Sequence, residues 1–279
     1  MASRVAVRGL ELAVWEWPGE GPPIFLHHAA GFHARIWDPV VARLPGRRCI
    51  AFDARGHGLS SKPAPPYAWR DFGRDAAKLA ELLELRCAIG VGHSLGGHAV
   101  ALAAALGPGA FAGLVLLDPV IRPRNRYTGP WTEARFVSKR RNRWASSDEM
   151  FETFAARQPF DAWDRRTLRD YCDYALIRAG DGFALACPPE VEASIYEASP
   201  LPESNIYPEI AALPIPVHVI RAGRFHDPAD LMRVSPTAPD LASIFERGRD
   251  TCLPGHSHFI PMEAPDLAAK FIEDALALL

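Results

Sequence analysis

The sequence predicts an α/β fold: a mostly parallel sheet of eight strands, helices on both faces, and a helical insertion. Three observations carry this. Short apolar runs without internal polar residues alternate with stretches of helical periodicity, the pattern of a parallel sheet covered on both sides. The run at 88–91 passes through Gly92-His93-Ser94-Leu95-Gly96-Gly97 directly into an alanine- and leucine-rich segment at 99–106, a strand, a tight turn and a helix in immediate succession. The alternation stops at residue 121 and resumes near 209, and the chain between is rich in aromatics and charge. Residues 1–120 and 209–279 are therefore read as one core, with 121–208 a mostly helical cap (lid) lying over it.

Taken in order, residues 5–7 and 10–17 read as two short strands meeting near Arg8-Gly9, a hairpin at the start of the sheet. A Pro/Gly-rich loop leads to a buried strand at 24–27, then to a helix with Ile36, Val40, Val41 and Leu44 on one face. The next strand, 49–53, runs into Ala54-Arg55-Gly56-His57-Gly58. Residues 71–85 carry Ala76, Leu79, Leu82 and Leu83 at the spacing of an amphipathic helix. After the strand and helix around Ser94, a strand at 113–118 is closed by Pro119. Beyond the insertion come a strand at 216–222, a helix near 240–245, a strand around 250–253 and a helix over 265–279.

Composition narrows the function classes. A formal net charge of −2 in 279 residues gives no reason to expect nucleic acid or a membrane surface as the main partner. No apolar run is long enough to cross a bilayer, and charges interrupt the N-terminus where a signal peptide needs an apolar core. The five cysteines are scattered, odd in number and without metal-type spacing, which suits a reduced, cytoplasmic compartment. No metal and no cofactor are expected. The expected partner is a small molecule, and a homo-oligomer is left open.

The chemistry centres on Ser94. Glycines at 92 and 96 let strand and helix approach so closely that the turn can hold Ser94 in a strained backbone state, its hydroxyl clear of the sheet. The alternative is a plain helix N-cap, a position serine favours. A serine nucleophile needs a base, an acid to orient the base, and donors for the oxyanion. His258 lies late in the chain just past a strand end, and Asp118 lies at a strand end. Loops from the carboxyl ends of parallel strands share one edge, so such residues can converge there. His256 competes with His258 for the base, and Asp118 can equally be a strand-terminal residue capping local N–H groups.

Four signatures together resemble the α/β-hydrolase superfamily, in its capped, esterase-like form, from residue 24 to the end. They are His27-His28-Ala29-Ala30-Gly31, Phe52-Asp53-Ala54-Arg55-Gly56-His57-Gly58-Leu59-Ser60, Gly92-His93-Ser94-Leu95-Gly96-Gly97, and His258-Phe259-Ile260-Pro261-Met262-Glu263. The resemblance implies Ser94 as nucleophile, His258 as general base, and an oxyanion hole from the backbone N–H groups of Leu95 and Ala29. Most of the family carries the acid after the strand at 217–222, which points to Asp227; some esterases place it where Asp118 stands, and Asp118 is preferred here. His28 departs from the family, standing where glycine is usual. His28, Phe32, Trp37 and His93 are the candidate pocket residues, while His57 and Asp53 are assigned to the Arg55-Gly56 turn and His98 to the core.

Between 122 and 143 eight basic residues face a single acid, Glu133. They read either as a site for substrates bearing carboxylate or phosphate or as a solvated face balanced by Asp148, Glu149, Glu152, Asp161 and Asp164. The implied reaction is hydrolysis of a small ester, thioester or lactone through an acyl-enzyme. C–C bond hydrolysis, cofactor-free perhydrolysis or a ligand-binding receptor with little turnover are the alternatives on the same fold.

Overall fold

Ten strands form in the computed structural model, which describes residues 2–226, 230 and 233–279. They are β1 (Ser3–Val7), β2 (Leu10–Trp17), β3 (Glu20–His27), β4 (Arg47–Phe52), β5 (Ala88–His93), β6 (Phe111–Leu117), β7 (Leu176–Ala179), β8 (Gly182–Leu185), β9 (Val217–Ala222) and β10 (Gly248–Leu253). Eight of them make one sheet in the order β1-β2-β4-β3-β5-β6-β9-β10. β2 runs antiparallel to β1 and β4, and every other neighbouring pair is parallel. The β1–β2 turn uses Arg8 and Gly9, both at positive φ (48° and 79°), the geometry that matches the twist of paired strands.

Period-two alternation sorts the central strands onto two cores. Leu114 and Leu116 of β6 join the apolar cluster beneath the Trp69–Leu82 and Leu95–Leu106 helices. Val115 and Leu117 join the opposite cluster, covered by the Pro265–Leu276 helix, as do Ile89 and Val91 of β5. Every residue of β5 is buried, and each fully buried Val, Ile or Leu side chain contributes roughly 1.5–3 kcal/mol. This strand therefore sits rigidly in mid-sheet, and the loops leaving the carboxyl ends of β3, β5, β6 and β9 open on one edge.

Three elements differ from expectation. The predicted helix after β3 is split into a 3₁₀ turn, Ala34–Trp37, and a short α-helix, Asp38–Val41; the expected face of Ile36, Val40, Val41 and Leu44 is nonetheless buried. The helix expected near 240–245 is a 3₁₀ turn, Leu241–Ile244. Residues 121–208 are not strand-free, because β7 and β8 pair as an antiparallel hairpin. Its turn is Gly180-Asp181, with Gly180 at φ 68°, a two-residue hairpin signal. The remaining elements of that stretch are helical, including Ser147–Ala155, Arg165–Tyr174 and Pro189–Ala198.

Glycine placement makes the β5 turn possible. A Cβ on Gly92 would overlap the Gly96 carbonyl, and one on Gly96 would overlap the His27 carbonyl, so the helix start presses directly on the loop after β3. Both obstacles are backbone and have little room to yield. Gly96→Ala is expected to destabilise the fold by about 3 kcal/mol, read as a lowered urea midpoint; an unchanged midpoint would show that the loop can move aside.

Candidate active site

Ser94 occupies φ 57°, ψ −118°, a conformation costing on the order of 1–3 kcal/mol for a residue with a side chain. Its surroundings hold it there. Ser94 N–H donates to the Leu117 carbonyl at 3.1 Å, and its own carbonyl accepts from Gly97 and Val120 at 3.1 and 3.0 Å. The side chain makes no capping bond to its helix, so the plain N-cap reading does not describe it. Instead the hydroxyl lies 3.0 Å from His258 Nε2.

The other nitrogen of that ring, Nδ1, donates to Asp118 Oδ2 at 2.7 Å. A carboxylate only accepts, so the ring hydrogen sits on Nδ1 and Nε2 is free to take the serine proton. Asp118 is itself at positive φ (44°) and wholly buried. Its second oxygen, Oδ1, accepts from Ala222 N–H at 2.9 Å and from Ser235 Oγ at 2.6 Å. Both oxygens are thus engaged, which keeps the carboxylate aimed at the imidazole. Asp227, the alternative acid, lies outside the described residues. Among the described residues His256 bonds through its backbone, donating to Leu253 and accepting from Arg224, whereas the His258 ring meets both Ser94 and Asp118.

Ala29, Phe32, Ser94 and His258 line one cavity of about 630 Å³, together with Trp69, Trp131, Phe136, Tyr196 and residues 234–237. Leu95 opens the Leu95–Leu106 helix, so its N–H has no acceptor within the helix. The Ala29 loop is braced from behind by two histidines. His28 Nε2 accepts from Ala54 N–H at 2.9 Å, and His57 Nε2 accepts from Gly31 N–H at 3.0 Å. Asp53 completes the brace, accepting from Ala34 and Leu59 N–H at 2.7 and 2.8 Å.

Three candidate pocket residues are placed elsewhere. His28 is fully buried and turned toward the Ala54 turn, which explains how this loop tolerates a side chain where glycine is usual. Trp37 is 1% exposed and packs among the apolar side chains under β3 and β4. His93 points under the His258 loop, where its Nε2–H donates to the His258 carbonyl at 2.8 Å. Burial lowers its pKa well below the usual range, with His258 nearby adding to the effect, so it braces that loop as a neutral ring. Of the four, Phe32 alone faces the cavity. Ser235 and the Ala222 amide were not foreseen, because nothing in their local sequence says that they meet a carboxylate from β6.

A family model described as the alpha/beta hydrolase family matches residues 24–271. The chain belongs to the α/β-hydrolase family. The 2-(acetamidomethylene)succinate hydrolase of Mesorhizobium japonicum is 27% identical to this hydrolase over 279 residues, covering 98% of this chain and 94% of that one. The solved structure of E-2-(acetamidomethylene)succinate hydrolase superposes with a TM-score of 0.78 at 24% identity, over 99% of both chains. The enol-lactonase from Burkholderia xenovorans superposes at a TM-score of 0.73 and 23% identity, covering 99% of this chain and 100% of that one; at these identities the likeness is one of fold. Among the described residues, no helix is long and apolar enough to cross a membrane, and no group of three His, Cys, Asp or Glu could hold a metal ion.

Proposed function

We propose that this hydrolase cleaves a small carboxylic ester, thioester or lactone through an acyl-enzyme on Ser94. The observation that carries the reading is the unbroken hydrogen-bond chain from Ser94 Oγ through the His258 ring to Asp118, opening on the cavity. Ser94 Oγ attacks the carbonyl carbon while His258 Nε2 takes its proton. The Ala29 and Leu95 N–H groups hold the oxyanion. Collapse breaks the bond to the alcohol or thiol, which leaves with the proton from His258. A water then attacks the acyl-serine, giving its proton to His258, and the acid departs as Ser94 regains its hydrogen. Residues 121–208 act as the cap, supplying Trp131, Phe136 and Tyr196 to the cavity wall.

A second reading has a specific support. The Mesorhizobium relative matches nearly end to end, and its named substrate carries an acetamide rather than an ester, which supports cleavage of a bond other than an ester by Ser94. A fluorophosphonate probe is expected to label the wild type and not Ser94→Ala; equal labelling of both would remove Ser94 from the mechanism. Short p-nitrophenyl esters then separate the readings. Turnover supports the ester reading, and labelling without any ester turnover supports the second.

A further inference from the structure

Arg122 lines the cavity wall, and among the described residues no carboxylate meets its guanidinium. Its Nε and Nη2 both donate to Ser199 Oγ, at 3.2 and 2.8 Å, and no acidic oxygen lies within 4.0 Å of it among the described residues. Neighbouring basic side chains are satisfied differently: Arg135 pairs with Glu197, Arg140 with Glu192 and Arg141 with Glu149, while Arg124 lies over the Tyr207 ring. Glu133 lines the same cavity but forms no ion pair with Arg122 or Arg126.

The residue is also fixed in place. Arg122 N–H donates to the Tyr127 hydroxyl at 3.1 Å, and its carbonyl accepts from the Tyr207 hydroxyl at 3.0 Å. Burial pulls its pKa down; Tyr127 opposes this and the nearby Arg126 adds to it. A guanidinium does not shed its proton under such pressure, so a half-buried positive charge stands near a second cation with, among the described residues, a neutral serine as its side-chain partner. Burying an uncompensated charge is costly. A carboxylate delivered by the substrate removes that cost, and the Nη1–Nη2 end of the guanidinium, which Ser199 leaves open, can bind it in two parallel hydrogen bonds.

We infer that Arg122 is the specificity-determining residue of this cavity, binding a free carboxylate on the acyl side of the substrate while Ser94 attacks the carbonyl, with Arg126 adding charge at the same wall. The substrate class is then a monoester, thioester or lactone derived from a short dicarboxylic acid. This rests on the acyl-enzyme reading above for its chemistry, but its binding part can be tested without turnover.

The comparison that decides is between the p-nitrophenyl monoester of succinic acid and p-nitrophenyl butyrate, which replaces the carboxylate by a methyl group. Wild-type kcat/KM is expected to favour the monoester. Arg122→Gln is expected to lower that ratio by about 10- to 100-fold, mainly through KM, the range for losing a hydrogen bond to a charged group; Arg122→Lys is expected to recover part of it. A purely structural role for Arg122 would depress both substrates alike. A wild type that prefers butyrate, or a ratio within twofold of wild type in Arg122→Gln, overturns the inference. Should the variants not fold, titration of Ser94→Ala by calorimetry decides: tighter binding of succinate than of succinamide supports the carboxylate site, and equal or weaker binding overturns it. Succinate binding in a protein that no fluorophosphonate labels would leave the carboxylate site standing and remove only the acyl-enzyme reading.

Discussion

Asp118→Asn is expected to lower kcat by about 10⁴-fold, the scale on which a serine–histidine pair depends on its carboxylate, with little change in thermal midpoint. An amide at this position keeps the size of the side chain and one acceptor oxygen. Three donors on two sides compete for that oxygen. The Ala222 amide and Ser235 both donate to Oδ1, while the His258 ring donates to Oδ2. If the amide oxygen stays with Ala222, its NH₂ faces His258 Nδ1 and forces the ring hydrogen onto Nε2. The imidazole then presents a donor to Ser94 Oγ, 3.0 Å away, and can no longer accept its proton. If the amide flips instead, the buried Ala222 N–H loses its acceptor at a cost of about 1–3 kcal/mol, so the first arrangement prevails. Steady-state kinetics of Asp118→Asn beside Asp227→Asn measure this directly. A 10⁴-fold loss in Asp227→Asn, with Asp118→Asn near wild type, would transfer the orienting role to the later strand.

The Ser94 turn was legible in the sequence because its causes are local. An apolar strand, two glycines and an alanine-rich helix within twenty residues leave the backbone few choices, and Gly92 and Gly96 stand where any Cβ would strike backbone. The succession of the main strands and their mostly parallel direction were legible for a similar reason, since strand and helix periodicities differ along the chain, whereas their order across the sheet was not. What the sequence does not display is the direction in which a side chain leaves its loop. His28, Trp37 and His93 neighbour site residues in sequence, yet each turns into packed interior, where His28 and His93 brace loops and Trp37 fills a core. The choice of acid was equally closed to inspection, because Asp118 and Asp227 both follow strands ending on one edge. It takes the meeting of Asp118 with Ser235 and Ala222, far apart in the chain, to show a carboxylate clamped toward a ring. The β7–β8 hairpin was missed although Gly180-Asp181 marks it, since its strands are only four residues each and lie between helices.

Acid is expected to unfold this protein steeply, beginning near pH 6.5. Six imidazoles, those of His27, His28, His33, His57, His93 and His98, are all but fully buried, and burial lowers the pKa of each. For His27 the folded value falls to about 3, and for His28 and His98 to about 4. In the unfolded chain each titrates near 6.5. Between those values the unfolded state holds protons that the folded state refuses, so stability falls as pH drops through 6.5 and levels off only below the folded pKa. Each such histidine contributes a slope of up to about 1.4 kcal/mol per pH unit. Even half of the six acting fully would remove about 4 kcal/mol per unit, a large part of an ordinary domain's stability. Carboxylates with depressed pKa values, such as Glu209, where burial is outweighed by the bond from Arg70, lose their contribution only below about pH 4.5, at the acid end of this window. Urea unfolding at pH 7.5, 6 and 5 reads the slope, and a stability that stays level across that range would contradict it. His98 offers a single-site check. Its Nε2–H donates to the Ser204 carbonyl at 2.8 Å, a bond a glutamine amide can replace, so His98→Gln is expected to lessen the slope by about one proton. Because His28 and His57 hold the Ala29 loop in place through Ala54 and Gly31 and stay neutral while the chain is folded, hydrolytic activity is expected to be lost together with the fold over the same pH interval.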